Sequence, residues 1–238
     1  LTRSNPHVDF PDLLTPSMLN ILYYLGSEGP QTAAKLVERT EYSRATIYRN
    51  LRTLTNRAMA MKEYSQYRLR KEFNELHRFA YELQHHVHRV KIKEDLGDGT
   101  IVWESHKEFL VRTETDVEDL NYHRTGLDAF DKYGLQFFTT SEQYYLYSEE
   151  RESLDPEDLI CHLLLIEDDS RHRKYALLLV VETELSDEQI QNAANYYDIE
   201  DRVMSLVEFL RTRGESSSEN TPQWEEFETL ASEYGVEL

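Results

Sequence analysis

SRATIYRNLRTLTNR, residues 43–57, is the stretch around which the first part of the chain is organised. Ile47, Leu51 and Leu54 recur at the spacing of one helix face, which predicts a helix with a buried side. The residues off that stripe are basic, hydroxyl-bearing or short, and they include Ser43, Arg44, Thr46, Arg49, Arg52 and Thr53. Such side chains suit a recognition helix in a major groove, where phosphates fix the register and base edges give selectivity. An ordinary amphipathic helix with solvated arginines is the alternative, because charge on an exposed helix face is common.

The charges of the chain are segregated. Its 238 residues carry a formal net charge of −19. Residues 16–70 hold nine Lys and Arg against four Asp and Glu, a net charge of +5, whereas the rest holds 17 bases and 41 acids, a net charge of −24. A basic module on an acidic body is the charge pattern expected of a DNA-binding protein.

The acid excess also bears on the source of the protein. Eighteen arginines against eight lysines, on a surface dominated by acids, predict a halophilic, archaeal-type regulator from a cell that accumulates salt. A merely acidic protein from an ordinary cytosol is the alternative.

Several classes of protein are disfavoured by composition. The chain has no apolar run of membrane-spanning length, and LTRSNPHVDF at residues 1–10 has no signal-type apolar segment. We therefore expect a cytoplasmic protein without membrane contact. The single cysteine, Cys161, excludes an internal disulfide and a multi-cysteine metal site, and its apolar neighbours predict a buried small side chain.

The elements around residues 43–57 predict three helices and a hairpin. Thr15 and Pro16 are typical of a helix start, and Gly26 is expected to end that first helix. Thr32 is placed to cap a second short helix. After residue 57 the pattern becomes extended in AMAMKEYSQYRL, which predicts two strands around a turn at Ser65 and Gln66.

GPQTAAKLVERTEYSRATIYRNLRTLTNRAMA, residues 29–60, resembles the MarR- and ArsR-type winged-helix regulators in its helix, turn, recognition helix and first residues of the wing. The resemblance covers roughly residues 15–70 and implies a DNA-binding domain, predicted over residues 1–70, with double-stranded DNA as its partner. It also implies that Thr32 and Ser43 touch phosphates, that Arg44, Thr46, Tyr48 and Arg49 face the groove, and that Lys62, Gln66 and Arg68 of the wing reach the backbone or minor groove. The chain departs from the family at Ala58, where many members have glycine, which predicts a tighter or shifted start of the wing.

KEFNELHRFAYELQHHVHRV, residues 71–90, predicts a long helix within a linking segment of residues 71–95. Its heptad seam consists of Phe73, Leu76, Ala80, Leu83, Val87 and Val90. A homodimer through this seam would set the distance between two recognition helices. Packing against its own chain is the alternative. Histidines 77, 85 and 88 could share one face, but they flank the apolar seam without a nearby cysteine, so we expect no metal there.

Residues 96–238 predict an α+β domain, and the whole chain is expected to be α+β and mostly helical. TIVWES, EFLVRTE, LQFFTT and QYYLYSE read as strands, and DLNYHRTGLDAFDKYGL as a helix that begins near Thr125. Five segments then predict helices, the first capped by Asp155 and the last spanning residues 224–234.

The second domain carries no glycine-rich phosphate loop and no hydrolase or metalloprotease motif. We therefore expect a domain without catalytic residues or cofactor. It could bind a protein partner, or sense a ligand in a pocket lined by Tyr144, Tyr145, Tyr147, Tyr196 and Tyr197.

TGLDAFDKYGL, with the following strands, apolar helix and terminal helix, resembles the effector domain of AbiEi-type antitoxins. The matching positions are Thr125, Gly126, Leu127, Ala129, Tyr133, Gly134 and Leu135. The resemblance implies an autorepressor that restrains a nucleotidyltransferase partner through this domain. The sequence as a whole favours a dimeric, sequence-specific transcriptional regulator, with this antitoxin function as the alternative.

Overall fold

The computed structural model describes residues 13–137, 141–216 and 220–238. The fold is α+β and mostly helical, as predicted. The chain divides into two compact units, residues 1–91 (unit 1) and 92–238 (unit 2). The division falls inside the predicted linking segment. No helix among the described residues is long and apolar enough to cross a membrane.

Unit 1 contains the predicted three helices and hairpin. In chain order its elements are α1 (Pro16–Ser27), β1 (Gln31–Thr32), α2 (Ala33–Thr40), α3 (Arg44–Asn56), β2 (Ala60–Glu63) and β3 (Gln66–Leu69). A 3₁₀ turn (Lys71–Phe73) then leads into α4 (Asn74–Leu96). The strands form an antiparallel sheet in the order β1-β3-β2, and Tyr67 and Leu69 of β3 face the core.

Two capping residues fix where α2 and α3 begin. The Thr32 hydroxyl accepts a hydrogen bond from the Lys35 backbone N–H at 3.1 Å, and the Ser43 hydroxyl accepts one from the Thr46 N–H at 3.2 Å. These bonds satisfy donors that a helix start leaves without an internal partner. The sequence therefore sets the turn between α2 and α3, which in turn sets the direction of α3.

The predicted end of α1 at Gly26 is wrong by one residue, since the helix continues to Ser27. Glycine is favoured there for another reason. A Cβ at position 26 would lie 2.0 Å from Cγ of His77 on α4, so a larger residue fits there only if the His77 side chain shifts. The Ser27 Oγ lies 3.1 Å from Nε2 of the same histidine.

The connection from α3 to the hairpin passes through Ala58, which adopts a left-handed backbone with φ of 55°. Glycine adopts this conformation without the steric cost that a Cβ brings. The Met59 N–H bonds to the Leu54 carbonyl at 2.8 Å and closes the end of the helix. The alanine thus keeps a turn that glycine would make more easily.

Unit 2 is built on a four-stranded antiparallel sheet in the order β4-β5-β7-β6. Its strands are β4 (Thr100–Glu104), β5 (Phe109–Thr113), β6 (Tyr122–Thr125) and β7 (Gln143–Tyr147). The helices are α5 (Pro156–Ile166), α6 (Ser170–Glu182), α7 (Asp187–Tyr196), α8 (Glu200–Arg211) and α9 (Trp224–Tyr234). Leu110 and Leu146 on one face of the sheet join the core formed with α5 and the later helices. Phe109 and Tyr145 on the other face pack with Ile92 and Leu96 at the end of α4.

The helix predicted near Thr125 is wrong in part. Residues 122–125 form β6, and a 3₁₀ helix follows at Leu127–Tyr133. Gly126 between them has φ 72° and ψ −160°, a combination available essentially only to glycine, and it breaks the chain direction. The predicted strand LQFFTT is absent at residues 135–137, and its remaining residues 138–140 lie outside the described part of the chain.

Candidate nucleic-acid interface

Helix α3 separates an apolar face from a basic one. Ile47, Leu51 and Leu54 are fully buried in the core of unit 1. Arg44, Arg49 and Arg52 are exposed on the remaining surface, with Thr46 half-buried beside them. Tyr48 on the same surface is 54% exposed. The structure thus brings together the α3 side chains that the sequence assigned to a groove.

The guanidinium groups of Arg44, Arg49 and Arg52 on α3 have no partner among the residues that the structure describes. Within residues 13–137, 141–216 and 220–238, no hydrogen bond or ion pair is made by the side chains of Arg44, Arg49 and Arg52. Their neighbours in unit 1 differ, because Lys35 and Arg39 both approach Glu28 and Arg68 pairs with Glu63. The basic face of α3 therefore keeps its charge available for an external anion.

The caps of α2 and α3 add hydrogen-bond donors. Thr32 and Ser43 each use a hydroxyl oxygen to accept a backbone N–H, and a hydroxyl that accepts in this way still has a proton to donate. Ser43 Oγ also lies 3.1 Å from Thr46 Oγ1. Hydroxyls and backbone N–H groups at helix starts are common phosphate ligands in DNA complexes.

Thr53, also predicted to contact DNA, is tied to its own helix. Its hydroxyl donates to the carbonyl of Arg49 at 3.0 Å. This bond leaves the oxygen lone pairs but no proton for a phosphate, so Thr53 contributes less to anion binding than the caps do.

The hairpin supplies the remaining predicted residues. Lys62 and Gln66 are exposed, and Nζ of Lys62 lies 5.4 Å from the centre of the Tyr67 ring. Arg68 donates to Glu63 at 2.9 Å, so part of its charge is neutralised within the hairpin. The turn lies at residues 64 and 65, one residue before the predicted position, and fully exposed Tyr64 stands at its tip.

Sequence reasoning missed the residue that anchors α3. Asn50 is buried, and its Nδ2 donates to Oγ of Ser17 on α1 at 2.9 Å. A buried amide must be hydrogen-bonded, so this bond orients α3 against α1. The available signal was an asparagine next to the apolar stripe, but its distant partner on α1 could not be read from the spacing.

The predicted seam of α4 is divided between two environments. Phe73, Leu76 and Ala80 are buried in the core of unit 1. Leu83, Val87 and Val90 are exposed. Only the second set remains available for a partner.

The histidines of α4 do not gather into a metal site. Nε2 of His88 lies 2.9 Å from Nε2 of Gln84 on the same helix, and burial lowers the pKa of His77. Among the described residues, the potential ligand set is Glu167, Asp169 and His172. Asp169 accepts the His172 backbone N–H at 2.7 Å as the cap of α6, and helix capping accounts for this cluster.

The tyrosines that could have lined one ligand pocket lie in different places. Tyr145 and Tyr147 belong to the core on the α4 side of the sheet, whereas Tyr197 belongs to the core on the α5 side. Tyr144 instead lines a cleft of about 190 Å³ with Gly126 and His172. These residues form no common pocket.

A largely buried cluster of charged side chains lies in unit 2. Arg151 donates through Nε to Glu108 at 2.8 Å and through Nη1 to Asp158 at 2.8 Å. The Tyr197 hydroxyl donates to Asp158 at 2.9 Å. Burial and the nearby charge of Glu108 raise the pKa of Tyr196 to about 12. The cluster ties the sheet, α5 and α7 together, because one guanidinium pairs with both carboxylates and tyrosine hydroxyls donate to them.

His162 lies in the same core. It is fully buried, and its Nδ1 is 2.8 Å from the Thr125 hydroxyl. Its Nε2 has no hydrogen-bond partner in the part of the chain that the structure describes. Burial, reinforced by the charge of Arg151, lowers the pKa of His162 to about 3. The ring is therefore neutral at physiological pH.

One part of the chain is similar to a known protein family. Residues 119–236, which lie in unit 2, match a family model described as HVO_2833_C, C-terminal. That description names no activity, and the matched residues exclude α3 and the hairpin. No curated protein and no solved structure matched the chain.

Proposed function

We propose that the protein is a sequence-specific DNA-binding transcriptional regulator, and that unit 1 is its winged helix-turn-helix module. The observation that carries the proposal is the set of exposed arginines on α3 without carboxylate partners among the described residues. The chain has 45 acidic residues, yet none occurs from residue 42 to residue 62. An acid-free basic helix in such a chain is suited to a polyanion.

Helix α3 would enter the major groove. Arg44, Tyr48, Arg49 and Arg52 occupy the exposed side of the helix, and exposed Ala45 leaves room for close approach to the bases. Arginine is the commonest side chain to read guanine, because its fork bonds to O6 and N7 together. The caps at Thr32 and Ser43, with Lys62 on the hairpin, would hold the phosphates on either side.

Unit 2 would not itself contact DNA. Residues 92–238 carry 12 Lys and Arg against 36 Asp and Glu, a net charge of −24. Such a surface repels phosphate, which restricts DNA contact to unit 1 and leaves unit 2 as a non-catalytic domain for a protein partner.

The protein would act as a homodimer in a salt-rich cell. A single module neutralises few phosphates, and each phosphate contact makes binding weaker as salt rises. Two modules on one duplex, with half-sites separated by about 34–36 Å or a multiple, would restore the affinity.

Footprinting on the promoter of the protein's own gene tests this proposal. The full chain is applied at low and at molar KCl, and we expect one protected region with two related half-sites. The control variant is Arg124→Ala, which removes an exposed arginine of unit 2 that pairs with Asp128. It should protect the same region as the wild-type chain. Absence of any sequence-selective protection by the wild-type chain would contradict the proposal, and a stable complex with a nucleotidyltransferase in that case would favour the antitoxin alternative.

A further inference from the structure

Helix α4 carries a second apolar surface besides the one that packs in unit 1. Phe79, Leu83, Val87 and Val90, here called the α4 ridge, are 44%, 38%, 50% and 40% exposed. They recur at intervals of four, four and three residues, so they lie along one side of the helix. A row of half-exposed large apolar side chains on a monomer is typical of an interface.

The α4 ridge is distinct from the side of α4 that packs in the core of unit 1. Leu76 and Ala80 on the adjoining side of α4 are only 2% and 4% exposed and belong to the core of unit 1. The helix therefore has one side buried in the core of unit 1 and a neighbouring side that the described residues leave about half exposed.

We propose that the α4 ridge docks against the α4 ridge of a second copy of this chain, with the two helices antiparallel. The inference deepens the proposed function and rests on it for the expectation that DNA-binding modules work in pairs. The proposed contact surface consists of three residues of the predicted seam, Leu83, Val87 and Val90, together with Phe79.

Charge complementarity argues for a second copy as the occupant. Glu82 and Arg89 border the ridge on the same edge, seven residues apart, and both are exposed. Neither has an ion-pair partner among the described residues. In an antiparallel pair, Glu82 of each copy faces Arg89 of the other, so the surface is complementary to itself twice over.

The same antiparallel geometry determines which side chains of the two ridges meet. Phe79 of one copy stacks against Val90 of the other at each end, and Leu83 lies beside His86 in the middle. A parallel pair would instead place Glu82 opposite Val87 and the two His86 rings opposite each other. The antiparallel register thus makes better use of the charges at positions 82 and 89.

Sedimentation velocity of the full chain without DNA tests the dimer. We expect the wild-type chain to sediment as a dimer at tens of micromolar. The double variant Leu83→Glu, Val87→Glu should dimerise at least about tenfold more weakly, because a charge would be buried without a partner. Leu120→Glu is the matched control, since Leu120 is an exposed side chain of unit 2 and its replacement should change nothing. A monomeric wild-type chain, or a dimer that survives both ridge substitutions, would overturn the proposal.

Charge reversal tests the register. At low salt, Glu82→Arg and Arg89→Glu should each weaken the dimer, and the double variant should restore it. If Glu82→Arg leaves the dimer unchanged, the antiparallel arrangement is wrong. Because these measurements contain no DNA, they are independent of the proposed function: α3 variants should remain dimers, and ridge variants should still recognise a half-site, but more weakly.

Discussion

The arginines of α3 and the buried arginines of unit 2 differ in exposure and in ion pairing. Arg173 in α6 is almost fully buried and donates to Asp168 at 3.0 Å, and Arg151 lies between Glu108 and Asp158. Arg49 and Arg52 are exposed and make no such pair with a described residue. The chain has 45 acids, yet none occurs from residue 42 to residue 62, so Arg49 and Arg52 have no carboxylate near them in sequence. The difference separates structural cations from cations available to a ligand.

Removing a structural cation should have the largest effect. Arg151→Met leaves Glu108 and Asp158 buried without a counter-charge, and we expect unit 2 to lose about 3–5 kcal/mol of unfolding free energy. Denaturant unfolding followed by circular dichroism measures this loss. Arg124→Met is the control, because its pair with Asp128 is half exposed and should contribute only about 0–1 kcal/mol. Similar losses for both variants would remove the distinction between buried and exposed pairs.

Removing a cation from the exposed face of α3 should weaken DNA binding and leave the stability of the fold unchanged. Arg49→Ala is expected to cost about 1–3 kcal/mol on the specific duplex and to relax base selectivity. Lys62→Ala should weaken specific and random duplexes evenly and lower the slope of log K against log salt by about 1. Binding titrations at several KCl concentrations measure both effects. Equal losses on the two duplexes for Arg49→Ala would show that Arg49 does not read bases.

The buried histidine of unit 2 predicts a pH effect of known sign. Because the folded-state pKa of His162 is lowered to about 3 from 6.5, the unfolded chain takes up a proton below pH 6.5 and the folded chain does not. Stability should therefore fall as the pH falls through this range, by up to about 1.4 kcal/mol per pH unit from this group. Unfolding at pH 7 and pH 5 should show a smaller pH dependence for His162→Gln than for the wild-type chain. An unchanged dependence would mean that His162 takes up its proton alike in the folded and unfolded chain.

The smallest effect is expected at the turn before the hairpin. Ala58→Gly relieves the left-handed backbone at that position and should stabilise unit 1 by about 0.5–1 kcal/mol. Ala34→Gly, in the right-handed backbone of α2, should instead cost stability. Thermal unfolding of the two variants compares them, and a loss at position 58 would contradict the assigned strain.

Local patterns predicted much of unit 1 and little of its anchoring. Apolar spacing placed α3, and the hydroxyls of Thr32 and Ser43 placed the helix starts, because caps act within one turn. The bond from Asn50 to Ser17 joins residues 33 positions apart, and no local pattern encodes it. On α4, the periodicity located an apolar side but could not tell which part of it the unit's own core would cover.

Unit 2 shows the same limit. Its helices followed from capping and periodicity, whereas the segment around Gly126 was misassigned, because apolar spacing cannot reveal a glycine-only backbone. The cluster of Glu108, Arg151 and Asp158 combines three elements that are adjacent only in the folded chain. The basic face of α3 could be predicted because one helix contains all of it.

A competition titration tests whether the exposed arginines of α3 bind DNA. A fluorescent duplex carrying the protected site is titrated with the wild-type chain, with the Arg44→Ala, Arg49→Ala, Arg52→Ala triple variant, and with the matched Arg112→Ala, Arg124→Ala, Arg202→Ala variant of unit 2. We predict that the α3 variant keeps its circular dichroism spectrum but loses selective binding, while the unit 2 variant binds as the wild-type chain does. Selective binding retained by the α3 variant would show that these arginines are not needed for DNA recognition.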